Sequence, residues 1–318
     1  MTTVFVYEDV CATEAGRDDQ SRPASALLAE GQAMLAAVTA DFRAVPDVRV
    51  VEQGSDFSGQ LRSADYSLII APECDGRLEH LCREVLANGG RLLGPSPDAV
   101  RLTADKLELA RYWKRHGVPT PETWPLGDEP VELTVVIKPR DGAGSQATVL
   151  KAGDGQASAV CWSGPLIAQR FVAGFAASVA FLIGPGMLTP LVPCEQMLSD
   201  DGRFQYRGGR LPMAPRLAER AVRIATAAVK CVPGLRGYVG VDVVLGDDGR
   251  DWAIEINPRL TTSYVGLRAL ARFNLAAAML AAVRGEPLPA LEWREEMIAF
   301  TPDGRVSILP TRGATAST

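Results

Sequence analysis

Between residues 238 and 257 two apolar runs flank Gly246-Asp247-Asp248-Gly249, and no other segment restricts the fold as tightly. An Asp-Gly dipeptide at the centre of a two-residue turn joins antiparallel strands, here predicted over 238–245 and 251–257. With Asp248 and Gly249 at that centre, Asp247 opposes Arg250 and, five steps up the ladder, Asp242 opposes Glu255. Alternation supports this register. Val239, Val241, Val243 and Leu245 with Trp252, Ile254 and Ile256 fill one face and leave Asp242, Glu255 and Asn257 on the other. Directly opposed carboxylates stand roughly 5 Å apart at Cβ and repel unless a cation lies between them. Two carboxylates and an amide oxygen are hard ligands suited to Mg²⁺, with Mn²⁺ as a substitute, held jointly with phosphate oxygens. A solvated acidic strand face is the plainer alternative. Arg259 follows at once, able to fork onto a phosphate or carboxylate, or to be an ordinary surface arginine.

Elsewhere the pattern divides the chain. Strands are expected at 4–7, 48–52, 67–71 and 91–94, with helices within 21–53 and over 78–87, so residues 1–97 read as a small parallel α/β domain. Pro95-Ser96-Pro97 punctuates the chain, after which Asp98 is expected to cap a helix running to about His116. Strands are then expected at 131–138, 146–150, 165–171, 176–183 and 187–192, with helices at 214–229 and 265–283 flanking the hairpin. The fold class is therefore α/β plus α+β, with residues 98–310 as a second region and 311–318 as a flexible tail.

Composition removes several function classes. Across 318 residues, 33 Lys and Arg stand against 38 Asp and Glu, a net charge of −5 that offers no basic field to a nucleic acid. The uncharged stretch 171–194 has membrane-spanning length, but Gly184-Pro185-Gly186, Pro190 and Pro193 interrupt it, so a buried hairpin is expected in place of a membrane helix. Residues 1–10 lack the basic, then apolar, profile of an export signal, and the six cysteines form no C-x-x-C pair. A cytoplasmic protein is expected. His80 and His116 are the only histidines, which leaves a Ser–His or Cys–His nucleophile system short of parts. Only five lysines accompany 28 arginines, so each lysine is a candidate for a place needing a compact ammonium.

One of them, Lys138, ends the run Val135-Val136-Ile137 and precedes Pro139-Arg140-Asp141-Gly142-Ala143-Gly144-Ser145, whose backbone N–H groups can fold over phosphates. The loop formally matches G-x-G-x-x-A, but a strand follows it where a dinucleotide fold needs a helix. The order of Asp105-Lys106 at a helix start, Val136-Ile137-Lys138-Pro139 before a glycine loop, then Asp242, Glu255 and Asn257, resembles the ATP-grasp superfamily. Further segments extend the likeness over nearly the whole chain, to about residue 285. They are Phe5-Val6-Tyr7-Glu8, Glu30-Gly31-Gln32-Ala33-Met34-Leu35, Ile70-Ala71-Pro72-Glu73, Tyr206-Arg207-Gly208-Gly209 and the run from Glu255 to Ser263. Together they look like the tyramine–L-glutamate ligase group of methanofuran biosynthesis.

That resemblance implies an N-terminal pre-ATP-grasp domain and two ATP-clamping lobes, a small one over about 120–170 and a C-terminal one over about 171–310. By position, it implies that Lys106 and Lys138 contact ATP phosphates beneath Gly142, Gly144 and Ser145. Gln169, Arg170, Phe171 and Val172 would form the hinge against adenine, and Asp242, Glu255 and Asn257 would bind Mg²⁺. Lys138 and Arg259 would be catalytic. The activity implied is formation of an amide from a small carboxylate and an amine through an acyl phosphate, with glutamate and tyramine as the first pair. The rivals are the same chemistry on another amino acid or cofactor precursor, and a regulator that binds ATP without turnover. No nucleic acid or membrane partner is expected; a homodimer is.

Two departures stand out. Gly174 precedes Phe175-Ala176-Ala177 where many relatives carry an acid for the ribose, and Gly240 stands where many carboxylate ligases carry an arginine. Arg259, Arg216 or Arg140 are the candidate substitutes. For an acidic substrate, Arg207, Arg210 and Arg216 are candidate partners, unless they form a solvated basic loop.

Overall fold

The structure is a computed structural model and describes residues 1–14, 26–54, 56–142, 144–153, 155 and 162–310. The expected tail at 311–318, Cys161, and residues 21–25 at the start of the first long helix lie outside the described residues.

Three sheets carry the molecule. The first contains β1 (Thr2–Glu8), β2 (Val48–Glu52) and β3 (Tyr66–Ile70) in the order β2-β1-β3, all parallel. Val4, Phe5 and Val6 are fully buried, because a parallel strand between helices is covered on both faces. Helices α1 (Asp9–Glu14), α2 (Ala26–Arg43), α3 (Phe57–Ser63) and α4 (Arg77–Ala87) surround it. The strand expected at 91–94 is reduced to a single parallel bridge between Ser67 and Leu92. Gly90 before it and Pro95 after it, which has no N–H to donate, leave room for nothing longer.

The second sheet contains β4 (Thr123–Pro125), β5 (Val135–Pro139), β6 (Val149–Lys151) and β7 (Leu166–Arg170) in the order β4-β7-β5-β6, antiparallel throughout. The third, of eight strands, contains β8 (Gly174–Gly184), β9 (Met187–Pro190), β10 (Cys194–Leu198), β11 (Tyr206–Leu211), β12 (Gly237–Gly246), β13 (Asp251–Asn257), β14 (Met297–Phe300) and β15 (Val306–Leu309). Its middle is the long pairing of β8 with β12, from Gly237 opposite Ile183 to Gly246 opposite Gly174. The uncharged stretch does form a hairpin: β8 turns into β9 with Gly184 opposite Met187, and Phe181 and Leu182 are fully buried. Among the described residues no helix is long and apolar enough to cross a membrane.

Two expected helices are each broken in two. The one predicted over 98–116 is α5 (Pro97–Ala104) followed by α6 (Lys106–Arg115). Ser96, not Asp98, caps α5, and Asp105 leaves helical geometry at φ −83°, ψ 95° to cap α6 by accepting from the N–H of Leu107 and Glu108. After α7 (Pro215–Lys230), the segment predicted as one helix over 265–283 is α8 (Ser263–Leu270) and α9 (Leu275–Arg284), with Asn274 capping α9 through a 2.9 Å bond from Ala277 N–H. In both cases a short polar side chain satisfies free N–H groups better from a cap than from a helix interior.

Candidate active site

The β12–β13 hairpin reaches its expected result by an unexpected path. Gly246 N–H donates to Arg250 O at 2.7 Å and Gly249 N–H to Gly246 O at 3.1 Å, with Gly249 at φ +84°. The connection is therefore a three-residue loop over 247–249 closed by a left-handed glycine, and the predicted opposition of Asp247 with Arg250 does not form. The ladder consequently starts one residue out of the predicted register, with Leu245 opposite Asp251 and Val243 opposite Ala253. A β-bulge then inserts Ile254 into β13, and beyond it Asp242 stands opposite Glu255 after all. The extra residue also flips the faces. Ala253 and Ile256 are 0% and 2% exposed in the core, whereas Ile254, predicted for the core, lines the cavity beside Glu255.

That cavity, of about 540 Å³, lies between the second and third sheets and the N-terminal domain. On one side β5 presents Lys138, only 8% exposed, whose Nζ donates to Gln169 Oε1 on β7 at 2.9 Å; Gln169 in turn donates to Thr123 Oγ1 on β4 at 3.0 Å. Burial pulls the Lys138 ammonium down to about 8, against the opposing pull of Glu255. At the start of α6, Lys106 donates to Gly142 O at 2.9 Å and stands 3.6 Å from Glu255 Oε2. Facing them, Asp242 accepts from Gln196 Nε2 at 2.9 Å and from Asn257 Nδ2 at 3.1 Å. Burial raises the Asp242 carboxyl well above the usual range, and the charge of Glu255 adds to it. Burial also pushes Glu255 upward, but Lys106 and Lys138 outweigh it and hold that carboxyl below its ordinary value. Two facing carboxylates with the Asn257 amide beside them form a hard oxygen donor set that fits a divalent cation.

The N-terminal domain supplies the far wall. Arg259, adjoining β13, reaches Glu73 beyond β3: Nε stands 3.0 Å from Oε1 and Nη2 donates to Oε2 at 3.2 Å, with both side chains almost wholly buried. Glu30 on α2 also lines this wall and accepts from the Thr262 hydroxyl at 3.4 Å. Tyr206 of β11 completes it; burial raises its phenol well above the usual value, and the charges of Cys194, Asp242 and Glu30 add to the effect.

A model of the ATP-grasp domain matches residues 103–263, and a model of the pre-ATP-grasp domain matches residues 35–100. The chain belongs to the ATP-grasp family. It is 30% identical over 236 residues to the tyramine–L-glutamate ligase of Methanocaldococcus fervens, covering 72% of each chain. It is 27% identical over 192 residues to the D-alanine–D-alanine ligase of Bordetella petrii, covering 52% of this chain and 57% of that one. A crystal structure of an ATP-grasp superfamily protein from Archaeoglobus fulgidus aligns with a TM-score of 0.71 at 27% identity, over 94% of this chain and 92% of the other. Proteins of this family bind ATP and a divalent metal ion.

Within that ATP-grasp frame, the cavity gathers Lys106, Lys138, Gly142, Gly144 and Ser145 with Gln169, Arg170, Phe171 and Val172, and sets them against Asp242, Glu255, Asn257 and Arg259. Ala143, between the loop glycines, lies outside the described residues. Phe171 and Val172 link β7 to β8, so this segment joins the two sheets that flank the cavity. At position 240 a Cβ would lie 2.7 Å from the Thr261 methyl, so a side chain there would require Thr261 to shift. Arg140 is committed elsewhere, forking onto Asp105 at 2.8 and 2.6 Å, and Arg216 is exposed. Arg259 is the one of the three substitutes that lines the cavity. Arg207 and Arg210, the other proposed substrate partners, are exposed and line no part of it. Sequence reading missed Gln196 and Glu30 as cavity residues and Glu73 as the partner of Arg259. Glu30 and Glu73 sit in segments that resemble the family outside its ATP machinery, and that was the available signal.

Proposed function

We propose that the chain is an ADP-forming carboxylate–amine ligase, dependent on ATP and Mg²⁺, that joins L-glutamate to tyramine. The observation that carries this reading is the convergence of the facing pair Asp242 and Glu255, the lysines Lys106 and Lys138, and Arg259 on one cavity. The names of the relatives supply the substrate pair. The division into residues 1–97, 98–310 and a tail, the cytoplasmic location and a homodimer belong to the same proposal.

In this reading a substrate carboxylate oxygen attacks the γ-phosphorus of ATP, and ADP departs. The amine nitrogen then attacks the acyl phosphate carbon, expels inorganic phosphate, loses a proton and leaves an amide. Lys106 and Lys138 hold phosphate oxygens as compact charges, and Arg259 holds the reacting carboxylate or the transferred phosphoryl group. Gln169, Arg170, Phe171 and Val172 receive the adenine, while Gly142, Gly144 and Ser145 cover the phosphates and exclude water that would hydrolyse the acyl phosphate. Asp242, Glu255 and Asn257 offer an oxygen donor set that fits Mg²⁺, with Mn²⁺ as a substitute, and a metal ion held there would neutralise charge on the phosphates. No side-chain nucleophile is needed.

ADP release measured across acid and amine pairs tests the proposal. Release is expected to require both glutamate and tyramine and to yield a glutamyl amide by mass. Release with other pairs but not with this one overturns the substrates and keeps the chemistry; release with none favours the ATP-binding regulator.

A further inference from the structure

The cations of the cavity are all engaged within the protein, but of its four acids only Glu255 is in an ion pair among the described residues. Asp242 accepts two amide hydrogen bonds, and of Glu30 and Glu195, Glu30 is the one that stands by Thr262 and Arg259. Lys106 lies against Glu255, Lys138 against Gln169, Arg170 against Glu122 and Arg259 against Glu73. Glu30 makes no ion pair among the described residues, and its one hydrogen bond, from the Thr262 hydroxyl, is long at 3.4 Å. It is nevertheless drawn largely out of water on α2, where burial raises its carboxyl above the ordinary value. A carboxylate drawn from solvent with one long hydrogen bond and only the field of Arg259, a cation already paired with Glu73, is costly, and such an arrangement persists where a ligand supplies further positive charge.

We propose that Glu30 is the anchor for a primary ammonium group of the substrates, in a subsite it shares with the Tyr206 phenol and the Thr262 hydroxyl. The neighbours are suited to this. Both hydroxyl groups line the same wall and accept hydrogen bonds from an ammonium, which has three N–H donors to place. Arg259 stands near enough to influence Glu30 electrostatically, so an ammonium at Glu30 and a carboxylate or acyl phosphate at Arg259 sit side by side as opposite charges. The two sources of the ammonium, the amino acid and the amine, share this chemistry.

The inference rests on the ligase reading for its choice of probes, and the test separates the two. The full chain and its Glu30→Gln variant are titrated at equilibrium with tyramine against 4-ethylphenol and with L-glutamate against glutarate, each second compound lacking the ammonium. The wild-type protein is expected to bind one ammonium compound about tenfold or more tightly than its counterpart, as a charge-assisted hydrogen bond out of water would produce. Glu30→Gln is expected to abolish that preference and Glu30→Asp to keep part of it, with ATP affinity unchanged in both. The pair in which the preference appears identifies the source. A wild-type protein without the preference, a preference that survives Glu30→Gln, or one that is lost instead in Glu195→Gln overturns the assignment. Wild-type protein that shows the preference yet releases no ADP fails the ligase reading and leaves the subsite standing.

Discussion

The two ends of the cavity treat charge in opposite ways. Around Asp242 and Glu255, cations and anions already face one another: Lys106 stands 3.6 Å from Glu255, Lys138 donates to Gln169, and Gln196 and Asn257 donate to Asp242. That end is preorganised, with its groups oriented before any nucleotide arrives. At the wall supplied by the N-terminal domain, Arg259 is held by Glu73, while Glu30 is in no ion pair among the described residues and feels Arg259 only at a distance. In the proposed reading, ATP and the metal ion are held at the balanced end and the substrates are chosen at the unbalanced one.

Substitutions can break this comparison at either end. The largest effect is expected at the facing acids: Glu255→Gln should lower ADP release about a hundredfold or more, as loss of a charge-stabilising group at a reaction centre does, while leaving the melting temperature nearly unchanged. Wild-type ADP release by this variant at limiting Mg²⁺ would remove Glu255 from the metal site. A smaller loss is expected at Lys138, whose buried compact ammonium donates to Gln169 at 2.9 Å, a contact that a planar fork cannot reproduce with the same geometry. Lys138→Arg should reduce kcat/KM for ATP about tenfold; unchanged kinetics in ATP titrations reduce Lys138 to an ordinary strand residue. The smallest effect is expected outside the cavity. Arg207 is exposed, so Arg207→Ala should leave the KM for glutamate within about twofold, the usual range for a surface substitution. A tenfold rise in initial-rate measurements would move substrate recognition away from the wall that contains Glu30.

Some of this was legible because the decisive contacts are local. Turn chemistry and strand alternation are short-range, so the hairpin itself could be read from the residues around Asp248-Gly249, whereas the expected opposition of Asp242 and Glu255 holds only because the Ile254 bulge offsets the three-residue loop. Lys138 at the end of an apolar strand before a glycine loop was legible for the same reason. Periodicity was less informative where a polar residue could either continue a helix or cap one: Asp105 and Asn274 each end in a cap, a choice for Asp105 made together with Arg140 forking onto it.

By itself, then, the sequence determined the parallel first sheet, the hairpin in the uncharged stretch, the existence of the β12–β13 hairpin and the family. Tertiary structure decided how the hairpin arrives at its register. The three-residue loop and the Ile254 bulge offset one another, and only packing of Ala253 and Ile256 into the core distinguishes that path from a regular ladder. It also decided the far wall of the cavity. Glu30 and Glu73 lie 229 and 186 positions before Arg259 in the chain, and no local pattern reports a contact that exists only once the N-terminal domain packs against the large sheet. Sequence periodicity records which face of an element is buried; which distant charge meets it there is settled by folding, because the cost of an unpaired buried charge depends on every element that closes over it.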